Sequence, residues 1–319
     1  MKQKEILLFG ATGQIGRNLI RKLSQNNYRI TAVTRNIHRA GYLLKTQANP
    51  GYLNIVEINR FNSDEIEALI KKCDICINLI GILYEKKKNQ FKTIHSDLPN
   101  LLSLKSNKFK IEKFIHFSSL GVENAIDSQY AISKLEGEKI AKKNFKNSII
   151  IKPSIVYSVD DKFTTRFMTL LSRLPLMPLY YQGKTKFYPI HVSDLVEITF
   201  KVIESKNNDL TLECLGPEKL SFKEIIQKLL KSIQKKRILL PLPLRLASLT
   251  AKILQILPNP LLTEDQLRLL KYDNVNTGLH KTNMDLGFVS KKRFEIEIEK
   301  YSYNWRTGGQ FAKQNELKE

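Results

Sequence analysis

The chain opens on Ile6-Leu7-Leu8-Phe9-Gly10-Ala11-Thr12-Gly13-Gln14-Ile15-Gly16, an apolar run that stops at a glycine and passes into a helical pattern carried by Ile15, Leu19, Ile20 and Leu23. A buried strand turning directly into a helix, with glycines in the turn, is the form of a first βα unit. Gly10 permits the tight turn, Gly13 lets the backbone approach a ligand with no Cβ in the way, and Gly16 lets helix and strand pack closely. The helix N-terminus then offers free N–H groups and a positive dipole end to a pyrophosphate. A second strand, Tyr28 to Val33, follows at the distance a dinucleotide fold requires. Gly10, Thr12, Gly13, Gln14, Ile15 and Gly16 are therefore predicted to hold a dinucleotide.

Working outward, apolar runs predict strands at 5–10, 28–33, 53–58, 75–80, 112–118 and 148–152, and helical periods predict helices at 14–25, 63–72, 90–106 and 128–143. Alternating strands and helices imply an α/β fold: a Rossmann-type doubly wound parallel sheet with helices on both faces. Ligands in such sheets lie beyond the carboxyl ends of the strands, where Gly10, Arg35, Asn78-Leu79-Ile80-Gly81 and Ser118-Ser119 fall. After about residue 155 the rhythm loosens. Helices are predicted at 161–173, 193–204, 221–232, 244–257, 263–271 and 291–302, and short strands near 185–191 and 210–215. The expected organisation is a nucleotide domain at 1–155, a smaller and mainly helical lobe at 156–307 that interleaves with the sheet, and a polar tail at 308–319.

The 319 residues carry 52 Lys and Arg against 31 Asp and Glu, a formal charge of +21. No nucleic-acid motif or aromatic-basic platform accompanies that charge, so a nucleic-acid partner is not expected. An anionic lipid surface or acidic partner is compatible with it, as is a lysine-rich solvated surface. Cys73, Cys76 and Cys214 give no disulfide framework, and Cys73-x-x-Cys76 leads into an apolar strand with no second pair to complete a zinc site, so no metal is expected. The chain starts directly in a strand and has no apolar run fit to span a bilayer, so a cytoplasmic location is expected.

Three positions carry chemistry. Arg35 ends the second strand in Thr34-Arg35-Asn36, where an acidic residue would hydrogen-bond a ribose 2′-OH; an arginine pairs instead with a 2′-phosphate. This favours NADP(H) over NAD(H), with Arg17 and Arg39 in supporting positions. Tyr130-Ala131-Ile132-Ser133-Lys134 opens a helix, placing Tyr130 and Lys134 on one face, where the ammonium is expected to stabilise a phenolate and hold ribose hydroxyls. Phe117-Ser118-Ser119 lies at the preceding strand end, so the Ser119 hydroxyl is placed to orient a reacting oxygen.

The G-x-x-G-x-x-G spacing and the Ser119, Tyr130, Lys134 set resemble the short-chain dehydrogenase/reductase superfamily in its extended or atypical branches. Further stretches narrow the resemblance: Asn78-Leu79-Ile80-Gly81, Lys152-Pro153-Ser154-Ile155-Val156-Tyr157, Gly183 to Asp194, Leu215-Gly216-Pro217-Glu218 and Pro258-Asn259-Pro260-Leu261-Leu262-Thr263-Glu264-Asp265-Gln266. Together, from about residue 4 to about residue 290, they resemble the epimerase/dehydratase-like branch that includes the NADPH-binding accessory subunit of respiratory complex I and its bacterial relatives. The resemblance implies a dinucleotide lined also by Asn59, Leu79, Ile80, Gly81, Ser118 and Pro153. It also implies a place beside complex I, another membrane-associated complex or quinone metabolism. The chain departs from the pattern at Asn59 and Asn62, where Asp is usual, at Lys152, where Arg is usual, and at Tyr157-Ser158, where an aromatic-Gly pair is usual.

Between Leu239 and Leu262, leucines and isoleucines interleaved with Arg245 and Lys252 are too short and interrupted to span a membrane. The segment fits either an amphipathic helix on the C-terminal lobe or one lying on a lipid surface, which would place the protein on the inner face of the cytoplasmic membrane. Two functions remain open. One is an NADP(H)-binding accessory or assembly partner. The other is an active NAD(P)-dependent oxidoreductase or epimerase acting on a carbonyl or sugar-nucleotide substrate through Tyr130 and Lys134.

Overall fold

Strand β1 (Glu5–Phe9) sends Ile6 and Leu8 to one face and Leu7 and Phe9 to the other, and all four are fully buried. A strand buried on both faces needs a layer on each side, and the chain supplies them. In a computed structural model that describes residues 3–61, 63–206, 208–255, 260 and 262–311, β1 is followed by β2 (Arg29–Thr34), β3 (Leu53–Glu57), β4 (Ile75–Asn78), β5 (Lys113–Phe117) and β6 (Ser148–Pro153). These pair in parallel in the order β3-β2-β1-β4-β5-β6. The order reverses between β1 and β4, which opens a crevice at their carboxyl ends.

Helix α1 (Gln14–Gln25) buries Leu19, Ile20 and Leu23 on one face of the sheet. The other face is covered by α3 (Ser63–Ile70) and α4 (Leu98–Lys108), and by α5 (Gln129–Asn144) through Ala141. Helix α2 (Ile37–Lys45), between β2 and β3, escapes the sequence periodicity because it buries only Ala40, Gly41 and Leu44. The helix expected over 90–106 is two structures: a π-helix, Lys92–Asp97, runs into α4. Pro99 explains the join, since it has no N–H to give to the carbonyl of His95 four residues back.

The sheet continues beyond residue 155. Strand Leu210–Cys214 pairs in parallel with β6, and Lys281–Thr282 pairs with it in turn, giving eight strands. Helices α6 (Thr164–Arg173) and α7 (Val192–Glu204) come before that strand, and α7 packs beside α1 on the first face of the sheet. A second core forms around Tyr157, Met168, Phe222 and Phe294, contributed by α6, α8 (Phe222–Ser232) and α11 (Phe294–Ser302). Helices α9 (Leu244–Leu254) and α10 (Glu264–Leu269) close over Tyr180 and Leu262. No helix among the described residues is long and apolar enough to cross a membrane. Asn62, Pro258, Asn259, Leu261 and the tail from 312 lie outside the described residues, as do the side chains of Arg245 and Ile253.

Candidate functional site

The glycine turn is built as the spacing predicts, and each glycine has a different reason to be one. Gly10 has φ +83°, and a Cβ there would lie 3.0 Å from the backbone of Leu79. At Gly16 a Cβ would lie 2.5 Å from the Gly10 oxygen and 2.7 Å from Ala11, so nothing larger fits between strand and helix. Gly13 differs: a Cβ there would meet only the Gly10 oxygen, at 3.4 Å, an ordinary contact. No packing inside the protein asks for a glycine at this exposed position. Gly13 is the N-cap of α1, no side chain caps the helix, and its first turn has no acidic residue. The amides of Gln14, Ile15 and Gly16 therefore head an uncapped helix, with the open side of Gly13 before it. That combination fits a pyrophosphate.

At the β2 end, Arg35 and Arg39 are exposed. Arg17 stands beside the glycine turn, its Nε 3.5 Å from the Gly13 oxygen. Its guanidinium is paired with Asp160, which turns it towards the C-terminal lobe. Glu57, at the end of β3, carries no signal in the spacing. Its carboxylate accepts from the Ile37 N–H at 2.6 Å and from the Asn59 side chain at 3.0 Å. The Ile37 amide is the main cause that holds its pKa below the usual carboxylate range, with Asn59 second. Asn59 is thus engaged beside β3 and is exposed.

Across the crevice, the turn after β4 is shaped by its own asparagine: Asn78 Oδ1 accepts from the Ile80 N–H at 3.1 Å. Leu79 and Ile80 pack against the glycine turn, and Gly81 faces Lys134, whose Nζ would be 3.0 Å from a Cβ at Gly81. Lys134 is buried and its Nζ donates to the Phe117 oxygen at 3.0 Å. Burial lowers its pKa to about 8, against a smaller opposing pull from Glu138. Ser119 hydrogen-bonds Tyr130. Ser118 instead bonds Glu138, which together with Glu123 neutralises the fully buried Lys152. Lys152 so satisfies its burial with two carboxylates, and Pro153 beside it is buried at the end of β6.

One expectation is corrected. A phenol acidified by the Lys134 ammonium does not describe Tyr130 in this protein. Burial around the hydroxyl raises its pKa above the ordinary value, the Ser119 hydrogen bond lowers it, and the Glu138 charge raises it again. The lysine is turned to a strand-end carbonyl, which removes the effect that sequence spacing alone implies.

Two residues at this site carry no sequence signal. His95, in the π-helix, is fully buried with its ring edge-on to Tyr130 at 5.5 Å between centroids. Asp265, on α10, accepts from the Gln129 N–H at 2.7 Å, the Tyr130 N–H at 3.0 Å and the Ser128 hydroxyl at 2.9 Å, so a C-terminal-lobe carboxylate caps the helix that carries Tyr130. A separate cavity of about 350 Å³ lies beside α1, lined by Arg17, Arg21, Asp160, Glu297 and Lys300 among others. It shares Arg17 with the predicted site and none of the glycines of the turn. The cysteines are free; Cys76 and Cys214 are buried, and burial pushes the Cys73 thiol up to about 12.

A parallel eight-stranded sheet with a glycine cradle at its switch point and a Tyr-Lys helix across the crevice defines a Rossmann-type protein of the short-chain dehydrogenase class. The chain belongs to the NAD dependent epimerase/dehydratase family, which it matches over residues 6–213. It is similar to the mitochondrial NADH-ubiquinone oxidoreductase 40 kDa subunit of Neurospora crassa, at 24% identity over 88% of this chain and 74% of that protein. It is also similar to the mouse NADH dehydrogenase [ubiquinone] 1 alpha subcomplex subunit 9, at 25% identity over 93% and 81%. A ceramide reductase of Caulobacter vibrioides is 25% identical over 59% of this chain and 57% of its own. Among solved structures, UDP-glucuronic acid 4-epimerase of Bacillus cereus superposes with a TM-score of 0.70 at 19% identity, covering 93% of this chain and 98% of that one. The dTDP-glucose 4,6-dehydratase of Bacillus anthracis superposes with 0.71 at 14% identity, covering 95% and 98%. Both likenesses are of fold.

Proposed function

We propose that the protein binds NADP(H), in preference to NAD(H), as an accessory or assembly partner of a respiratory complex of the complex I type, or in quinone metabolism. The observation that carries the binding is Gly13: an exposed glycine that the protein's own packing does not require, at the head of an uncapped helix. Arg35 supports the 2′-phosphate preference, since it stands exposed at the β2 end with Arg39 nearby in sequence. The partner reading is supported by similarity to complex I subunits along most of the chain. A peripheral position on the inner face of the cytoplasmic membrane is supported by exposed Leu246 and Leu249 on α9, with Leu174, Leu176, Ile238 and Leu240 also exposed in the same lobe.

A second reading, an active NAD(P)-dependent oxidoreductase or epimerase on a carbonyl or sugar-nucleotide substrate, is favoured by the Ser119–Tyr130 hydrogen bond. In it Tyr130 is the acid/base, Ser119 the group that orients the substrate oxygen, and Lys134, held at the Phe117 carbonyl, the group that takes the ribose hydroxyls. One experiment separates the two. The nucleotide that co-purifies is identified by mass spectrometry, and Tyr130→Phe is tested for complementation of a deletion strain. Bound NADPH with full complementation supports the accessory role; retained NADPH with lost complementation supports the enzyme. Absence of any nucleotide, with no binding of added NADPH or NADH, overturns both.

A further inference from the structure

The His95 side chain joins the two elements that face each other across the crevice. Its Nε2 accepts from the Ile82 N–H at 3.1 Å, so Nδ1 carries the ring proton and donates to Ser133 Oγ at 2.8 Å. Ser133 Oγ passes the bond on to the Tyr130 carbonyl at 2.8 Å. The imidazole therefore spans from the turn after β4 to the first turn of α5. The geometry around it is fixed from three sides. Phe91 stacks on the ring at 5.3 Å between centroids, and Tyr130 meets it edge-on. The His95 carbonyl, unclaimed by Pro99, points at Gly137, where a Cβ would lie 1.9 Å away. Only a glycine on α5 admits that approach.

We propose that His95 is a positioning residue of the dinucleotide site: by clasping Ile82 to Ser133 it holds Gly81 and Lys134 against each other, where one mononucleotide half lies over β4 and β5. The inference rests on the dinucleotide reading. The cradle at Gly13 takes the pyrophosphate, so one half lies over β2 and β3 towards Arg35, and the other lies over β4 and β5 towards Lys134. The clasp acts on the second half alone. Burial keeps the imidazole neutral, as the acceptor role of Nε2 demands, and the Lys134 charge reinforces this.

The test is titration calorimetry with NADPH and with 2′,5′-ADP, which lacks the nicotinamide half, on wild type and two His95 variants. Asparagine reaches the Nδ1 position but not Nε2, so His95→Asn loses Ile82. Glutamine reaches the Nε2 position, so His95→Gln keeps it. The expected result is about tenfold weaker NADPH binding in His95→Asn, the loss of one buried hydrogen bond. Affinity for 2′,5′-ADP stays unchanged in that variant, and His95→Gln, which keeps Ile82 but releases Ser133, weakens NADPH in the same direction as Ser133→Ala. Ser133→Ala, which cuts the bonds to His95 and to the Tyr130 carbonyl but leaves the Ile82 bond, weakens NADPH in the same direction and stands in if His95→Asn does not fold. Wild-type NADPH affinity in His95→Asn, or equal loss of both ligands with a fallen melting temperature, overturns the clasp. Wild type that binds neither NADPH nor NADH overturns the dinucleotide reading itself.

Discussion

Asp265 Oδ2 lies 3.0 Å from the main-chain nitrogen of Tyr130, so the residue that carries the candidate acid/base receives a hydrogen bond partner from the opposite lobe. The same carboxylate takes the Gln129 N–H and the Ser128 hydroxyl. An anion at a helix N-terminus satisfies its free amides and complements its dipole. Asp265→Ala is expected to destabilise the protein by about 1–2 kcal/mol, measured by chemical denaturation. Asp265→Asn, which retains an acceptor oxygen, is expected to lose less. Equal stability of wild type and Asp265→Ala would show that the cap contributes nothing.

Gly13 and Gly16 separate binding from folding. Gly16→Ala drives a methyl group to within 2.5 Å of the Gly10 carbonyl, so the variant is expected to be strongly destabilised or insoluble. Gly13→Ala meets an ordinary contact at 3.4 Å and should keep its melting temperature within a few degrees. Its dinucleotide affinity should nonetheless fall at least tenfold, because the new methyl group stands in the cradle. A Gly13→Ala variant that binds NADPH as wild type does removes the phosphates from this turn.

The contrast between these two glycines bears on what a sequence can disclose. The order of strands and helices in the first half was legible, because β1, β4, β5 and β6 are buried on both faces and read as mainly apolar runs, broken in β5 and β6 by Lys113, His116 and Lys152. Helix α2 was not, since it rests on the sheet through only three small or aliphatic residues. At the site, Gly10, Gly16, Tyr130 and Lys134 announce themselves by spacing within one element. His95 and Asp265 reach the site from 35 residues before and 135 residues after Tyr130, through bonds that leave no periodic trace. The direction of the Lys134 side chain was equally hidden. Helix spacing places it beside Tyr130, but only the fold reveals the Phe117 carbonyl that takes it.

That buried lysine gives a pH signature. Its pKa is about 8 in the folded chain, against about 10.4 for an unperturbed lysine. Between those values the unfolded chain binds more protons than the folded one, so stability rises with pH across the window. Below about pH 8 both states are protonated and the burial penalty is present in full. Lys134→Met has no such group. The stability difference between Lys134→Met and wild type should therefore shrink by about 2–3 kcal/mol from pH 8 to 10.5, measured by urea denaturation at a series of pH values. A difference that stays constant across that range refutes the buried ammonium.

Helix α9 buries Ala247 and Ala251, packs Leu254 against them, and exposes Leu246 and Leu249. Lys252 and Lys236 are exposed in the same region of the chain. Wild type is expected to float with vesicles rich in anionic phospholipid, less so in high salt. Leu246→Glu combined with Leu249→Glu should abolish flotation while leaving the melting temperature near wild type. Equal flotation of both proteins places the lipid contact elsewhere or nowhere.

The neighbour that completes β6 is the strand Leu210–Cys214, sixty residues further along the chain. During synthesis at about 5–20 residues per second, β6 waits roughly 3–12 s for that partner. Through that interval the nascent chain displays Ile149, Ile150 and Ile151 on an open parallel edge, a segment of high β propensity with little charge to deter pairing with another chain. The interleaved sheet thus makes the newborn protein depend on what shields that edge at the ribosome, and it makes slower translation between residues 156 and 214 a hazard to yield even in a chain whose finished form is sound.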